Sequence, residues 1–97
     1  MAVMMQMTWN GIGAEEYEAA RKHVNWDGDV PPGAMFHVVA VTEGGVRVTD
    51  VWESAEAFNT FVQNRLMPGV KELGIPGEPQ VEILPAHTIF APGYDRG

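Results

Sequence analysis

A run of six residues, Phe36-His37-Val38-Val39-Ala40-Val41, is apolar at every position but one. A strand with one face in water alternates apolar and polar residues, so a nearly continuous apolar run indicates a strand that is buried on both faces. A chain of 97 residues makes one domain, and its two predicted helices can cover only one face of a sheet. The run therefore predicts that a second copy of the chain covers the other face, in a homodimer.

The remaining sequence predicts secondary structure in the order β-α-β-β-α-β. A helix over residues 14–24 has acidic residues in its first turn and basic residues in its last, which suits the helix dipole. A second helix is expected to begin after Ser54, to kink or break at Pro68 and to end at Gly74. Strands are predicted over residues 3–9, 34–42, 45–52 and 81–90, the last of them irregular at Pro85.

This order is the ferredoxin-like, split βαβ arrangement of the α+β class. It predicts a four-stranded antiparallel sheet in the order 4-1-3-2, with both helices on one face. Residues 1–97 are expected to form a single domain with a loose tail over residues 91–97.

Composition argues against several classes of partner and chemistry. Six basic residues, scattered along the chain, stand against 13 acidic ones, so the clustered positive charge that nucleic acids or anionic membranes attract is missing. The absence of cysteine excludes a disulfide scaffold and a thiol nucleophile. The three histidines lack metal-ligand spacing, so no metal is expected. No cofactor is predicted either. The first residues resemble no signal peptide or membrane span, and a cytoplasmic location is expected.

Three segments carry a resemblance to a known group of proteins. Residues 51–58, VWESAEAF, form a strand that ends in an aromatic residue and runs into a capped helix, and they resemble the dimeric α+β barrel superfamily. Residues 36–38, FHV, and 85–87, PAH, do so as well. The superfamily includes antibiotic-biosynthesis monooxygenase-like and stress-responsive barrel proteins, and it hosts oxygenases, cyclases, isomerases and haem-handling proteins. Residues 55–73 lack the histidine by which the haem-degrading branch ligates iron, so haem binding of that kind is not expected.

His37 and His87 are the candidate acid/base residues, because histidine titrates nearest to neutral pH. Asp50 is a candidate for orienting His37. If residues 43–45 form the hairpin turn, Thr42 pairs with Val46, and alternation puts Asp50 and His37 on opposite faces. A turn whose length differs by one residue would shift the pairing register and place Asp50 and His37 opposite each other on one face. A solvated Asp50 and purely structural histidines remain open alternatives.

Aromatic and methionine side chains could form the wall of a pocket for a flat apolar ligand, or pack in the core or a dimer interface. The candidate substrate-binding residues are Trp52, Met5, Trp9 and Tyr17. Two functions follow. The first is an enzyme that performs acid/base or cofactor-free oxygen chemistry on a small apolar or polyketide-like substrate, as a monooxygenase, cyclase or isomerase. The second is a non-catalytic ligand-binding or interaction module of the same fold.

Overall fold

The computed structural model describes residues 1–94 and contains one four-stranded antiparallel sheet, with its helices on one face. The elements are β1 (Val3–Asn10), α1 (Ala14–Val24), β2 (Ala34–Val41), β3 (Gly45–Trp52), α2 (Ala55–Phe61), a π-helical turn (Val62–Leu66), α3 (Met67–Leu73) and β4 (Gln80–Pro85). The strands lie in the order β2-β3-β1-β4, which confirms the predicted ferredoxin-like α+β topology.

Strand β1 lies at the centre of the sheet and shows the clearest alternation of burial. Val3, Met5, Met7 and Trp9 are buried on the face that the helices cover, here called the inner face. Met5 is fully buried. The intervening residues lie on the opposite, outer face. The core is therefore a layer of side chains between the inner face and the helices.

Helix α1 begins and ends where the sequence predicts. The N–H of Gly13, just before the helix, donates to Oε1 of Glu16 at 2.6 Å. At the other end Asn25 takes the left-handed conformation (φ 61°), and its N–H donates to the carbonyl of Arg21 at 2.9 Å. This ending turns the chain sharply into the loop over residues 25–33 that leads to β2.

A kink or a break was predicted at Pro68 of the second helical segment, and the structure excludes the break. Backbone angles stay right-handed from α2 through the π-helical turn into α3, and the helix ends at Gly74 (φ 67°). The N–H of Met67 donates to the carbonyl of Val62, five residues back. This wider turn comes just before Pro68, where a regular helix would need an N–H that proline lacks. The π-helical turn thus lets the helix continue past the proline.

Strand β4 ends at Pro85, so the predicted strand over residues 81–90 was too long. Proline cannot donate to the ladder, and residues 86–94 instead pack against part of the outer face. The N–H of Ala86 donates to the carbonyl of Ala2 at 2.9 Å, and the ring of Tyr94 lies 5.4 Å from that of Phe36. The remaining part of the predicted loose tail, residues 95–97, lies outside the described residues.

Apolar side chains on the outer face are exposed. Val38 on β2 is 48% exposed and Leu84 on β4 is 41% exposed, although both belong to apolar runs. Within residues 1–94, no helix is long and apolar enough to cross a bilayer. The same residues contain no cluster of three His, Asp or Glu side chains that could hold a metal ion.

Candidate active site

The β2–β3 hairpin places His37 directly opposite Asp50. Val41 pairs with Val46, and the N–H of Thr42 donates to the carbonyl of Gly45 at 2.7 Å, so two residues, not three, connect the paired positions. The register expected from the sequence was wrong by one residue. Because side chains alternate between faces, this shift brings His37 and Asp50 onto the same face.

Asp50 is a buried carboxylate with both oxygens engaged by donors. It is 6% exposed, and its Oδ1 lies 2.6 Å from Nδ1 of His37. Its Oδ2 accepts a hydrogen bond from the indole Nε1 of Trp52 at 3.0 Å. Asp50 and Trp52 are two residues apart on one strand, so their side chains lie side by side on the inner face. These two contacts offset the cost of burying the carboxylate.

Tyr17 reaches the other nitrogen of the same imidazole from helix α1. Its hydroxyl lies 2.7 Å from Nε2 of His37, and the planes of the two rings are nearly parallel, 7° apart. Burial raises the pKa of Tyr17 from 10.0 to about 12, although the charge of Arg21 opposes this. The phenol is therefore neutral at pH 7 and can donate to Nε2. The result is one hydrogen-bonded chain, here called the relay, of Tyr17, His37, Asp50 and Trp52.

The relay lines a cavity of about 360 Å³ between the inner face and the helices. This volume suits a small organic ligand. All of the predicted pocket residues line it, namely Met5, Trp9, Tyr17 and Trp52. Trp9 offers its ring alone, because its N–H already donates to the carbonyl of Pro76 at 2.9 Å. The cavity is thus largely apolar, with the relay on its wall and Glu16 and Asp27 as the other charged residues that line it.

Trp26, a loop tryptophan whose ring the sequence allowed as a pocket wall, also belongs to the site. It comes from the loop over residues 25–33, and its ring centroid lies 5.7 Å from that of His37 and 5.8 Å from that of Tyr17. Phe61 packs against it from the second helix at 6.4 Å. The only signal in the sequence is a tryptophan in a loop rich in Gly, Pro and Asp. The ring of Trp26 helps to cover His37 where the imidazole would otherwise face water.

His87 lies elsewhere. It follows β4, is exposed, and lines a second cavity on the outer face with residues such as Met4, Phe36 and Ile89. As predicted, β2 and β4 are the opposite edges of the sheet. The structure therefore brings His37 and Asp50 together and leaves His87 apart from both within one chain.

Comparison with known proteins identifies the fold. No family model and no curated protein sequence matches the chain. Among solved structures, the cofactor-independent oxygenase SnoaB from Streptomyces nogalater is 14% identical, with a TM-score of 0.64 over 91% of this chain and 94% of that one. Rv0793 from Mycobacterium tuberculosis is 10% identical, with a TM-score of 0.66 over 94% of this chain and 100% of that one.

A third structure is the monooxygenase ActVA-Orf6 of Streptomyces coelicolor, solved with the ligand nanaomycin D. It is 19% identical, with a TM-score of 0.54 over 93% of this chain and 91% of that one. The chain has the fold of the antibiotic-biosynthesis monooxygenase-like dimeric α+β barrel proteins, as its sequence predicted. Identities this low define the fold, and the function has to be argued from the site.

Proposed function

We propose that this protein is a small-molecule enzyme in which His37 removes a proton from a phenol or enol, so that the resulting anion reacts with O₂ without a cofactor. One observation carries the proposal: Nε2 of His37, 2.7 Å from a neutral phenol, lies at the wall of an apolar cavity and is backed by a buried carboxylate. A positioned base of this kind is what proton abstraction needs.

Each member of the relay has a role in this scheme. Asp50 holds His37 by Nδ1, so that Nε2 is the atom that accepts a proton. The hydroxyl of Tyr17 lies where a substrate hydroxyl would contact Nε2 of His37. Tyr17 either transfers the substrate's proton to Nε2 or moves aside, so that the substrate hydroxyl contacts Nε2 directly. Because the pKa of Tyr17 is raised to about 12, an ordinary phenol is the stronger acid and loses its proton first. Met5, Trp9 and Trp52 bind the apolar part of the substrate.

The oxygen chemistry balances without a reductant. In a substrate with a methylene beside the enol, loss of a proton gives a carbanion that transfers electrons to O₂. The methylene then becomes a carbonyl, with one oxygen atom retained in the product and the other released as water. The fold shared with a cofactor-independent oxygenase supports this chemistry over the cyclase and isomerase alternatives.

The proposal includes a homodimer in the cytoplasm. The exposed apolar side chains of the outer face, such as Val38 and Leu84, support a second copy as the cover for that face. The partners are thus the second subunit and a small apolar ligand.

Oxygen uptake with a defined probe tests the function. The probe is 1,8-dihydroxyanthrone, an aromatic phenol with an acidic methylene, and its uptake of O₂ is measured against a protein-free blank, with ¹⁸O₂ to follow the oxygen atoms. We expect the wild type to exceed the blank and to place one labelled oxygen in the product. We expect His37→Ala to lower the enzymatic rate by about 10²–10⁴.

His23→Ala is the matched control. His23 is an exposed histidine that contacts Glu72 at 2.7 Å and does not line the cavity, so its loss should leave the rate unchanged. Binding of the probe is measured in parallel by calorimetry. Probe binding with no uptake above the blank would favour the non-catalytic binding module. Equal uptake above the blank by the wild type and His37→Ala would exclude His37 as the base.

A further inference from the structure

The indole of Trp52 is held in one orientation by the aromatic residues around it. Trp52 is 3% exposed, and its ring centroid lies 5.6 Å from that of Phe58 and 5.5 Å from that of Phe61. Packing against helix α2 therefore fixes the direction of its N–H. That N–H points at Oδ2 of Asp50 and is not free to contact a substrate.

We infer that Trp52 is a positioning residue, which holds Oδ2 of Asp50 so that an acceptor at position 50 faces Nδ1 of His37 and Nε2 remains the proton acceptor. An indole N–H can only donate, so the group beside it at position 50 must present an acceptor. With Oδ2 held by Trp52, the carboxylate turns Oδ1 toward Nδ1 of His37. The two hydrogen bonds of Asp50 alone define this orientation, and its consequence for catalysis rests on the proposed function.

Replacing Asp50 with asparagine shows what the indole controls. The new side chain has one acceptor and one donor end in place of two acceptors. Because Trp52 demands the oxygen, the amide NH₂ must face Nδ1 of His37. That nitrogen then has to accept, so the proton moves to Nε2 and the ring loses its basic atom facing Tyr17. If the indole N–H is removed as well, the new amide can rotate by 180°, so that its oxygen accepts from Nδ1–H of His37 again.

The test reads the tautomer directly and needs no activity. ¹⁵N chemical shifts of the labelled histidine rings are measured at about pH 8.5, two units above the ordinary histidine pKa. We expect Nδ1–H in the wild type and Nε2–H in Asp50→Asn. In the double variant Asp50→Asn with Trp52→Phe, we expect Nδ1–H to be the main form again.

Trp9→Phe is the matched control, because it also removes a buried indole N–H from the cavity wall but one that donates to Pro76. Added to Asp50→Asn, it should leave the Nε2–H form in place. Should Trp52→Phe fail to fold, benzothienylalanine at position 52 keeps the ring shape without an N–H. The inference is overturned if Asp50→Asn retains Nδ1–H, or if removing the N–H at position 52 leaves the tautomer of Asp50→Asn unchanged. Failure of the oxygen assay with these tautomers observed would overturn only the proposed function.

Discussion

His37 and Asp50 face each other across the β2–β3 pair, with Nδ1 of the histidine 2.6 Å from Oδ1 of the aspartate. The two side chains differ in exposure, at 35% for His37 and 9% for Asp50. The pair therefore joins an edge strand that borders solvent to a buried position in the core. This arrangement keeps the imidazole within reach of a ligand while its partner stays out of water.

We expect Asp50→Ala to lower the free energy of unfolding by about 1–3 kcal/mol, because it leaves the buried N–H of Trp52 without its acceptor. Urea denaturation measures the loss. Asp29→Ala is the control, because that carboxylate is 79% exposed and should change stability by no more than about 0.5 kcal/mol. Equal effects of the two substitutions would contradict the role of Asp50 as an acceptor in the core.

Alkaline titration tests the environment of Tyr17. Its pKa is 10.0 in the unfolded chain and about 12 when folded, so both states keep the proton below pH 10. Between pH 10 and pH 12 the unfolded state ionises first, and stability must fall as the pH rises. Denaturation at a series of pH values should show this loss reduced in Tyr17→Phe and retained in Tyr94→Phe. A loss of the same size in Tyr17→Phe would show that other groups cause it.

Helices α1 and α3 meet at Gly69, and we expect Gly69→Ala to cost about 1–3 kcal/mol by overpacking. A Cβ there would lie 2.7 Å from Cγ2 of Val24 and 3.2 Å from Cδ2 of His23. Gly44→Ala is the control, since a Cβ at that position meets nothing within 4 Å. Thermal melts of the two variants should differ, and matching melting temperatures would show that the helices can separate without cost.

The outer face provides a test of assembly. We expect Val38→Glu to convert the proposed dimer to a monomer at micromolar concentration, because it places a charge in an apolar interface. Leu73→Glu is the matched control, with a side chain 39% exposed on α3 and away from the sheet. Sedimentation velocity distinguishes the two. A wild type that sediments as a monomer would remove the dimer from the proposal.

The fold could be predicted from the sequence because it depends on features that repeat along each element. The apolar run of β2 and the charge pattern of α1 each span several residues, so one misread position does little harm. The path of the second helix at Pro68 and the end of β4 were harder to predict, since each depends on how one proline is accommodated. A π-helical turn before Pro68 and the end of pairing at Pro85 are tertiary outcomes that no short pattern specifies.

The candidate site was only partly predictable for a related reason. His37, Asp50 and the wall residues could be named from their chemical types, but the contact between His37 and Asp50 depends on a single residue of turn length. Trp26 reaches the site only because Asn25 turns the chain back after α1. Contacts that depend on the length of one turn, or on one residue in the left-handed conformation, cannot be predicted from the hydrophobic periodicity of the sequence.

The short connection between Thr42 and Gly45 has a consequence for how such proteins diverge. One residue inserted in that turn would shift the register of β2 against β3 by one position. The side chain of His37 would then lie on the outer face, away from the cavity, although every site residue was still present. A descendant could therefore lose the pair through an insertion or deletion in a surface turn, with no substitution in the pocket. Alignments that compare residue identities at these positions should count the length of this turn before they infer a shared activity.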